Sequence, residues 1–571
     1  MTEQQLLEII KILNRERCVT FVQDKKNNRS YSGSVRVDDA TTYCLTILFP
    51  ETFPLKLPEI KVNDVEKGLA HMEADGKLCL LDESSVLLNL AMPEQILLDC
   101  FDLAYNLLTV DMKSGNYAKE ILREFNSYWF ANANLYVYSA IEEKDYGYSE
   151  MKMFISRNIR VLASSLSEEK YLACNYLHAI DDDKAFSANC IVISLRKKSK
   201  PIVLKKIYKW SEIRKYILEN ISGSVKRTFQ RFLNRSISGG MKYIILSQPG
   251  EYGNVLFGFR VDFRNKRKEK IEKIVNAKVE QVYIYRIDRK YMLQRSGAET
   301  DISKKQILLR GCGSVGGYIA NNLCQLGIGA IDLLDDDLFS KENVHRHFLG
   351  FDSLMCKTNY KATLLKERLE RMYPYADIDS LDYEDRSVEK FILKKDRLAN
   401  YDLIISALGE PTLNLEINQI LYEEKIFTPF ICGFNEPYGI GGHAVVVNVD
   451  QNSCLRCLYT DPISNDLVPF RASFVEEGQY FKKNISGCSG AFVPYSCLDS
   501  QQTAIVVSRL AIDVLKGEVG HNTICSWIGK SDALEKAGFN SSAFYKSQKT
   551  KKLEGEVAIM TAKHCPICHK K

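Results

Sequence analysis

The stretch QILLRGCGSVGG, residues 306–317, joins a short apolar run to a group of glycines. The run QILLR is typical of a buried β-strand, and Gly311, Gly313 and Gly316 follow it with the spacing G-x-G-x-x-G. Glycines at this spacing let the backbone approach a phosphate beside the N-terminus of the next helix. The stretch therefore predicts the first strand and helix of a parallel α/β sheet that binds a nucleotide.

The residues after this stretch extend the pattern. The next apolar run, AIDLL, leads to Asp335, an acid at the position that binds a ribose hydroxyl. An acid at this position would suit a nicotinamide enzyme equally well. Asn343, Arg346 and Lys361 follow, and added cations are typical of sites that neutralise phosphate charge during activation. We therefore favour phosphate activation over hydride transfer. Surface cations around an ordinary dinucleotide fold are the plain alternative.

Length and composition bound the fold class and the partners. At 571 residues the chain is too long for one hydrophobic core, so about three domains are expected. Hydrophobic residues at 45% and charged residues at 26% are ordinary values for a soluble globular protein. The net charge of +5 is small, so we interpret the basic runs 196–200 and 264–270 as solvated faces and predict no nucleic-acid partner.

The N-terminus and the cysteines indicate the compartment. The opening MTEQQLLEIIKIL carries acids where a signal peptide would be basic, and the least charged long stretch, 311–331, contains Gly, Asn and Gln. We therefore expect a cytoplasmic protein with no membrane partner. In that compartment the 17 cysteines are more often reduced, metal-bound or catalytic than paired in disulfides.

Patterns of strand and helix divide the chain into three regions. Residues 1–145 read as helix, strands, loop and helix, an α+β order with Cys79 in the loop. Residues 146–280 interleave strands with polar helices and carry no chemical motif, so we expect an α/β linker or docking domain. Residues 281–571 alternate strand and helix, which predicts a Rossmann-like parallel sheet. The predicted fold class is thus multidomain, mixed α/β and α+β.

The run 307–374 resembles the adenylation domain of ubiquitin-activating enzymes and of the ThiF/MoeB-type activators of sulfur-carrier proteins. This resemblance implies ATP and Mg²⁺. The residues implied to bind the nucleotide are Gly311, Gly313, Gly316, Asp335, Asn343, Arg346, Lys361 and, from the preceding segment, Arg295 or Arg289. Where the family carries an aspartate for the magnesium-bound phosphates, this chain reads SALGEP, with Gly409 at that place and Glu410 beside it.

The stretch NISGCSGAFVPYSCLDSQQTA resembles the loop that bears the thioester cysteine in the same family. The resemblance implies Cys488, whose flanking glycines let backbone amides face an acyl oxyanion, with Cys497 as the second candidate. Small buried cysteines at the start of a helix are the plain alternative.

Two CxxC pairs supply four thiolates, which is enough for a closed tetrahedral Zn²⁺ site. The four cysteines are Cys454, Cys457, Cys565 and Cys568. The second pair would tie the C-terminal tail to the domain, and similar paired cysteines occur in the sulfur-carrier activators. A redox pair or a loose tail are the alternatives.

The lead FPETFPLKLPEIKV, then HMEADGKLCLLD and a helix near AMPEQ, closely resembles a ubiquitin-conjugating enzyme. The resemblance implies that Cys79 carries a thioester. The family's His-Pro-Asn tripeptide is here His71, Met72 and Glu73, so the asparagine that steadies the oxyanion is missing. Without its flanking pattern, Cys79 would as readily be interpreted as a buried structural cysteine.

A conjugating domain fused ahead of an activating domain resembles the fusion protein of type II CBASS anti-phage operons. The resemblance implies a ubiquitin-ligase-like transferase that adenylates a protein C-terminal carboxylate, takes it as a thioester on Cys488, passes it to Cys79 and conjugates it to an amine. The implied acyl donor is the C-terminus of a cGAS-like nucleotidyltransferase, or else a ubiquitin-like modifier. The acceptor is an amine-bearing molecule, and we expect a homodimer.

Two other functions stay open from the sequence. A sulfur-carrier-protein adenylyltransferase would explain the C-terminal half and leave Cys79 without a role. A non-catalytic nucleotide-sensing scaffold fits the missing asparagine and aspartate, and it predicts ATP binding without turnover.

Overall fold

The computed structural model divides the chain into two compact units, Met1–Arg289 and Lys290–Lys571, which are described separately. The residues it describes are all those of 1–571 except 40, 64–70, 74, 82–85, 112–116, 143–146, 178–185, 204–206, 235–239, 251–252, 264–273, 275–276, 299–300, 357, 382–394, 449–452, 485–490 and 550–571.

The first unit opens with helices packed on a four-stranded antiparallel sheet. Helix α1 begins with a capping box between Thr2 and Gln5, and its apolar residues recur at helical spacing, so that Leu6 and Ile10 are buried. The strands pair in the order β1-β2-β3-β4. The elements are α1 (Glu3–Glu16), β1 (Phe21–Asp24), β2 (Asn27–Arg36), β3 (Thr42–Leu48), β4 (Glu59–Asn63) and α2 (Pro93–Asn106). The predicted α+β order is confirmed.

The rest of this unit is a closed seven-stranded barrel, in the order β10-β11-β5-β7-β6-β8-β9. Its elements are α3 (Tyr117–Asn132), β5 (Leu135–Ser139), β6 (Tyr148–Ser156), β7 (Ile159–Leu162), α4 (Leu166–Tyr176), β8 (Phe186–Ser194), α5 (Trp210–Asn220), α6 (Gly223–Asn234), β9 (Met241–Gln248), β10 (Val255–Asp262) and β11 (Lys278–Arg286). The aromatic rings of Phe125 and Trp129 in α3 pack on Phe257 of the barrel. Strand β5 precedes the predicted boundary at 145 and β11 spans the one at 280; those boundaries stay predictions.

The second unit is built on a seven-stranded sheet of order β14-β13-β12-β15-β16-β17-β20. Neighbours from β14 to β16 are parallel, as predicted, and β17 and β20 add antiparallel pairs at one edge. The elements are α7 (Arg289–Ser296), β12 (Gln306–Arg310), α8 (Gly316–Leu326), β13 (Ala330–Leu334), α9 (Lys361–Met372), β14 (Asp377–Ser380), α10 (Lys395–Leu398), β15 (Leu403–Ser406), α11 (Pro411–Glu423), β16 (Phe430–Asn435), β17 (Gly441–Val447), β18 (Lys483–Asn484), β19 (Ala491–Phe492), α12 (Cys497–Leu515), β20 (Thr523–Ile528), α13 (Asp532–Lys536) and α14 (Ala543–Lys549).

Helices cover both faces of this sheet, which explains why its strands are apolar without alternation. Ile307 and Leu309 of β12 belong to the core that contains residues of α8, α9 and α12. Leu308, which points to the other face, belongs to the core that contains residues of α11. The carboxyl ends of β12, β13 and β15 therefore meet at one edge, which is the usual place for a ligand in an open α/β sheet.

A tight turn joins β12 to α8 at this edge. Gly311 has φ +86°, a conformation that favours glycine. A Cβ atom on Gly316 would lie 1.8 Å from the carbonyl oxygen of Gly311, whereas a Cβ on Gly313 would meet open space. The loop is thus closed at Gly316 by packing and leaves its backbone open at Gly313.

Two buried polar side chains hold the same loop. Asp335, at the end of β13, accepts hydrogen bonds from the backbone amides of Cys312 at 2.5 Å and Asp337 at 2.8 Å. His347 Nε2 lies 2.6 Å from the carbonyl oxygen of Cys312, and its Nδ1 accepts from the Leu349 amide at 3.0 Å. Burial raises the pKa of Asp335 and lowers that of His347 to about 4. The neutral imidazole can therefore donate from Nε2 and accept at Nδ1.

We expect the Gly316→Ala variant to be less stable than the native protein. The added methyl group overlaps the Gly311 carbonyl, and overpacking of this kind typically costs about 1–3 kcal/mol. Thermal unfolding should show a lower midpoint for Gly316→Ala, with Gly313→Ala as the matched control that keeps the native midpoint. Equal midpoints for Gly316→Ala and the native protein would contradict the packing argument.

We also expect a pH dependence of stability from His347. Because its pKa falls from 6.5 to about 4 on folding, the unfolded chain binds a proton that the folded protein excludes, and stability is lost as the pH falls from 6.5 towards 4. The full effect is on the order of 3 kcal/mol. Urea unfolding across this range should show a shallower decline for His347→Gln than for the native protein, and identical slopes would count against this assignment.

Candidate active sites

A cleft of about 800 Å³ opens beside the loop between β12 and α8. Ser314 and Val315 of the loop line it, together with Ala407 and Leu408 after β15. The Ser314 hydroxyl lies 3.1 Å from that of Tyr495. The first turn of α8 therefore begins at the wall of a cavity large enough for a nucleotide, since ligand pockets usually measure about 300–1,000 Å³.

The charges that line this cleft are mainly positive. Arg346 and Lys482 line it, and the Arg346 guanidinium stacks over the Tyr495 ring at 5.4 Å from its centroid. Among the described lining residues Glu436 is the one acid; it is buried, and its Oε1 lies 3.1 Å from His443 Nε2 and accepts from the Phe474 amide at 3.0 Å. The cleft thus suits a polyanionic ligand such as the triphosphate of ATP.

Two other residues implied to bind phosphates have structural partners. Lys361, the buried first residue of α9, donates from Nζ to Asp337 Oδ2 at 2.6 Å. Asn343 Oδ1 accepts from the Ser340 amide at 3.0 Å and lies 3.1 Å from its hydroxyl, which closes the turn before Arg346. Neither lines the cleft, and their phosphate contacts stay predictions, as does the bond between Asp335 and ribose.

The segment that precedes the sheet lies elsewhere in this unit. Arg295 is exposed on α7. The residues directly after it, 296–298, line a separate cavity with Gln325 and Leu326, at the end of α8 away from the glycine loop. Arg295 does not line the cleft, and Arg289 is the last residue of the first unit; the part of either in nucleotide binding stays a prediction.

The sequence SALGEP places glycine, not acid, at the cleft. Gly409, with φ +66°, lines it, whereas Glu410 is exposed before α11 and does not line it. In the described part of the chain, one cluster of acidic side chains has carboxylate oxygens close enough to one another to hold a metal ion; it consists of Asp335, Asp336 and Asp337. Its buried member, Asp335, already accepts two backbone bonds.

Some of the cysteines predicted to form a thioester or to bind zinc lie among the residues that the structure describes, and others lie outside them. Cys488 lies outside the described residues, while Cys497 is the half-buried first residue of α12, which Ser496 and Asp499 cap. The sulfur atoms of Cys454 and Cys457 are 3.9 Å apart. Two thiolates on one tetrahedral zinc, with Zn–S near 2.3 Å, would be separated by about 3.8 Å. Cys565 and Cys568 lie outside the described residues, so the zinc site stays a prediction.

In the first unit Cys79 lies on a narrow two-stranded ribbon. The Cys79 amide donates to the His71 carbonyl at 2.7 Å, and the Glu73 amide donates to the Lys77 carbonyl at 2.7 Å. Met72 and Leu78, paired between them, are 7% and 3% exposed. Because side chains alternate across such a ribbon, Glu73 and Cys79 share its exposed face. The Sγ atom of Cys79 lies 3.9 Å from Glu73 Oε1, in range of a weak S–H···O hydrogen bond.

Backbone bonds fix the ribbon to its surroundings. The Leu78 amide donates to the Ile60 carbonyl, and the Val62 amide donates to the Gly76 carbonyl, so the ribbon continues the sheet beyond β4. The Tyr128 hydroxyl of α3 accepts from the Met72 amide at 2.6 Å. Cys79 is therefore exposed on a supported backbone, which is how a nucleophile is presented to a partner.

Two residues at these sites were not predictable from the sequence. His347 stands in ENVHRH two residues after His345, and no periodicity indicates which of the two histidines is buried. Tyr495 adjoins the predicted cysteine loop, but only the folded chain brings it to Arg346 and Ser314. In the described part of the chain no helix has the length and apolarity to cross a membrane.

Two family models match separate parts of the chain. Residues 287–530 match the ThiF family, and residues 14–138 match the Prokaryotic E2 family B. The first match contains the glycine loop and its cleft, and the second contains Cys79 and its ribbon.

Two curated relatives match this chain over most of their own length, and a third matches it over about a third of its length. The ATP-dependent ubiquitin transferase-like protein Cap2 of Pseudomonas aeruginosa is 24% identical over 504 residues, 83% of this chain and 85% of that protein. The protein of the same name from Vibrio cholerae is 24% identical over 437 residues, which are 70% of this chain and 71% of that protein. Adenylyltransferase and sulfurtransferase UBA4 of Lodderomyces elongisporus is 25% identical over 167 residues, 28% of this chain and 34% of that protein. The chain is thus a fusion of an E2-like domain of prokaryotic family B with a ThiF-family domain.

Proposed function

We propose that this chain is a ubiquitin-ligase-like transferase that activates a protein C-terminal carboxylate with ATP and conjugates it to an amine through thioesters. The observation that carries this proposal is that one chain holds both a basic cleft at a glycine loop and an exposed cysteine on a supported ribbon. The Pseudomonas aeruginosa relative named an ATP-dependent ubiquitin transferase-like protein supports it, because a match that covers 83% of this chain must reach into both parts.

The first step is adenylation in the cleft. A carboxylate oxygen of the donor attacks the α-phosphorus of ATP, forming an acyl adenylate while pyrophosphate leaves. In this proposal the phosphates bind to the open backbone at Gly313, to the first turn of α8 and to Arg346 and Lys482, which line the cleft. ThiF-type adenylation implies Mg²⁺ as well; Glu436, buried and already hydrogen-bonded, is a poor ligand for it.

The next steps move the acyl group. The thiolate of Cys488, or of Cys497, attacks the acyl carbon, so that a C–S bond forms and AMP leaves. Exchange then passes the acyl group to the Cys79 sulfur. An amine nitrogen attacks this second thioester, forming the amide C–N bond and releasing the Cys79 thiol.

The partners follow from the resemblance to CBASS fusions. The acyl donor is the C-terminus of a cGAS-like nucleotidyltransferase acting in anti-phage defence, or a ubiquitin-like modifier; the acceptor carries a primary amine. We expect the protein to act in the cytoplasm as a homodimer, with zinc on the paired cysteines as a structural element.

A sulfur-carrier-protein adenylyltransferase is the second candidate. The similarity to UBA4, an adenylyltransferase and sulfurtransferase, favours it for the C-terminal half. It predicts a thiocarboxylated small protein and unchanged activity for Cys79→Ala.

The proposal is tested by trapping the thioesters. The protein is co-expressed with its gene neighbours and purified with and without ATP and Mg²⁺, and intact mass is measured with and without reductant. We expect an ATP-dependent, thiol-labile adduct on Cys79, which moves to Cys488 in Cys79→Ala; Cys44→Ala, which removes another exposed cysteine of the same domain, keeps the native pattern. ATP binding without any adduct would refute the proposal in favour of a nucleotide-sensing scaffold.

Arg346→Ala should slow adenylation. The guanidinium faces the cleft, and removing one group that stabilises developing charge typically costs about 10²–10³-fold in rate. ATP–pyrophosphate exchange with the donor identified by the trap measures this step directly. Arg371→Ala, an exposed arginine in the last turn of α9, serves as the charge-matched control and should exchange at the native rate. Equal losses in both variants would mean that net charge, not position, is responsible.

A further inference from the structure

Glu73 and Cys79 form a pair on one face of the ribbon. Since His71 lies opposite Cys79 and Glu73 lies opposite Lys77, Glu73 is the diagonal neighbour of the cysteine. Its carboxylate reaches the sulfur, with 3.9 Å between Oε1 and Sγ. The turn that follows holds the Glu73 backbone, because the Gly76 amide donates to the Glu73 carbonyl at 3.0 Å.

The charged groups around this pair have other partners. Lys77 Nζ donates to Glu59 Oε1 at 2.8 Å, and Lys61 of β4 donates to Asp75 Oδ2 at 2.5 Å. His71 is half-buried on the ribbon, and the Tyr128 hydroxyl of α3 accepts from a backbone amide. In the part of the chain that the structure describes, no lysine or arginine pairs with Glu73. Its carboxylate is therefore directed at the sulfur without a counter-ion from these elements.

A carboxylate at this place does not help the cysteine to receive an acyl group. A negative charge beside a thiol repels the thiolate that thioester exchange requires. Once Cys79 is acylated, the sulfur is neutral and this cost is gone. An amine that attacks the acyl carbon must then lose a proton, and the Glu73 carboxylate, which reaches the sulfur, can accept it.

We propose that Glu73 is the general base for aminolysis of the Cys79 thioester; this rests on the proposed function. The amine nitrogen forms the C–N bond as its proton moves to a Glu73 oxygen. The C–S bond then breaks, its electron pair stays on Sγ, and the carboxylic acid returns the proton to the thiolate. General base catalysis of this kind typically contributes about 10²–10⁴-fold.

The test loads Cys79 chemically and follows its discharge. The full chain is exchanged with a glycyl peptide thioester of mercaptoethanesulfonate and desalted, and the acylated tryptic peptide that contains Cys79 is quantified over time. Two nucleophiles are compared: Nα-acetyl-lysine, whose strongly basic nitrogen holds its proton as the C–N bond forms and needs a base to remove it, and hydroxylamine, whose weakly basic nitrogen gives up that proton readily to water. Asp75→Asn, which removes another exposed carboxylate of the same turn, is the matched control.

We expect Glu73→Gln to slow discharge to acetyl-lysine by about 10²-fold or more while leaving discharge to hydroxylamine at the native rate. Asp75→Asn should keep both rates. Equal slowing with both nucleophiles would overturn the proposal, since it would indicate that Glu73 only positions the ribbon, and an unchanged rate with acetyl-lysine would also overturn it.

Failure of the proposed function gives a different result. In that case no ATP-dependent adduct forms on Cys79 in the native chain. The discharge rate of the chemically loaded thioester still shows whether Glu73 acts as a base. The two proposals are therefore refuted by separate measurements.

Discussion

The tight turn between β12 and α8 is the constraint on which the second unit depends. Gly316 packs against the Gly311 carbonyl, and Gly311 packs against the backbone of Ala407 and Leu408, so neither position has room for a side chain. The Asp335 carboxylate and the His347 imidazole then bind the amide and the carbonyl of Cys312, which belong to the two peptide units that flank its Cα atom. Both groups are buried and hold the loop without a ligand. Binding a ligand therefore costs less conformational entropy than it would if the loop had to become ordered first.

The first unit also holds its candidate site on a backbone fixed by its own contacts, although the chemistry of that site differs. There the backbone of a short ribbon continues a sheet, two apolar side chains anchor one face, and the reactive groups occupy the other. In each unit a supported backbone carries the candidate functional groups, and side chains such as Arg346 and Cys79 lie outside the hydrophobic cores. This separation lets functional residues vary while the fold is kept.

Much of this architecture could be predicted from the sequence, because it rests on local patterns. The apolar run before Gly311 and the glycine spacing gave the strand, the turn and the helix, and the acid after the next strand was found at Asp335. The closed barrel could not be predicted, since it depends on pairing between strands far apart, such as β5 with β11. The contacts of His347 with Cys312 and of Lys361 with Asp337 could not be predicted either, because a hydrogen bond between groups far apart in the sequence leaves no periodic trace.

The ribbon that carries Cys79 also limits how this protein can change through evolution. Side chains alternate between its faces, so inserting or deleting a single residue on one strand would turn the exposed side chains inward and the anchors Met72 and Leu78 outward. Substitutions at exposed positions of the turn are tolerated far more easily than changes of length. Among descendants of this chain, the number of residues between Glu73 and Cys79 should therefore be inherited more faithfully than the identity of the residues that fill the interval.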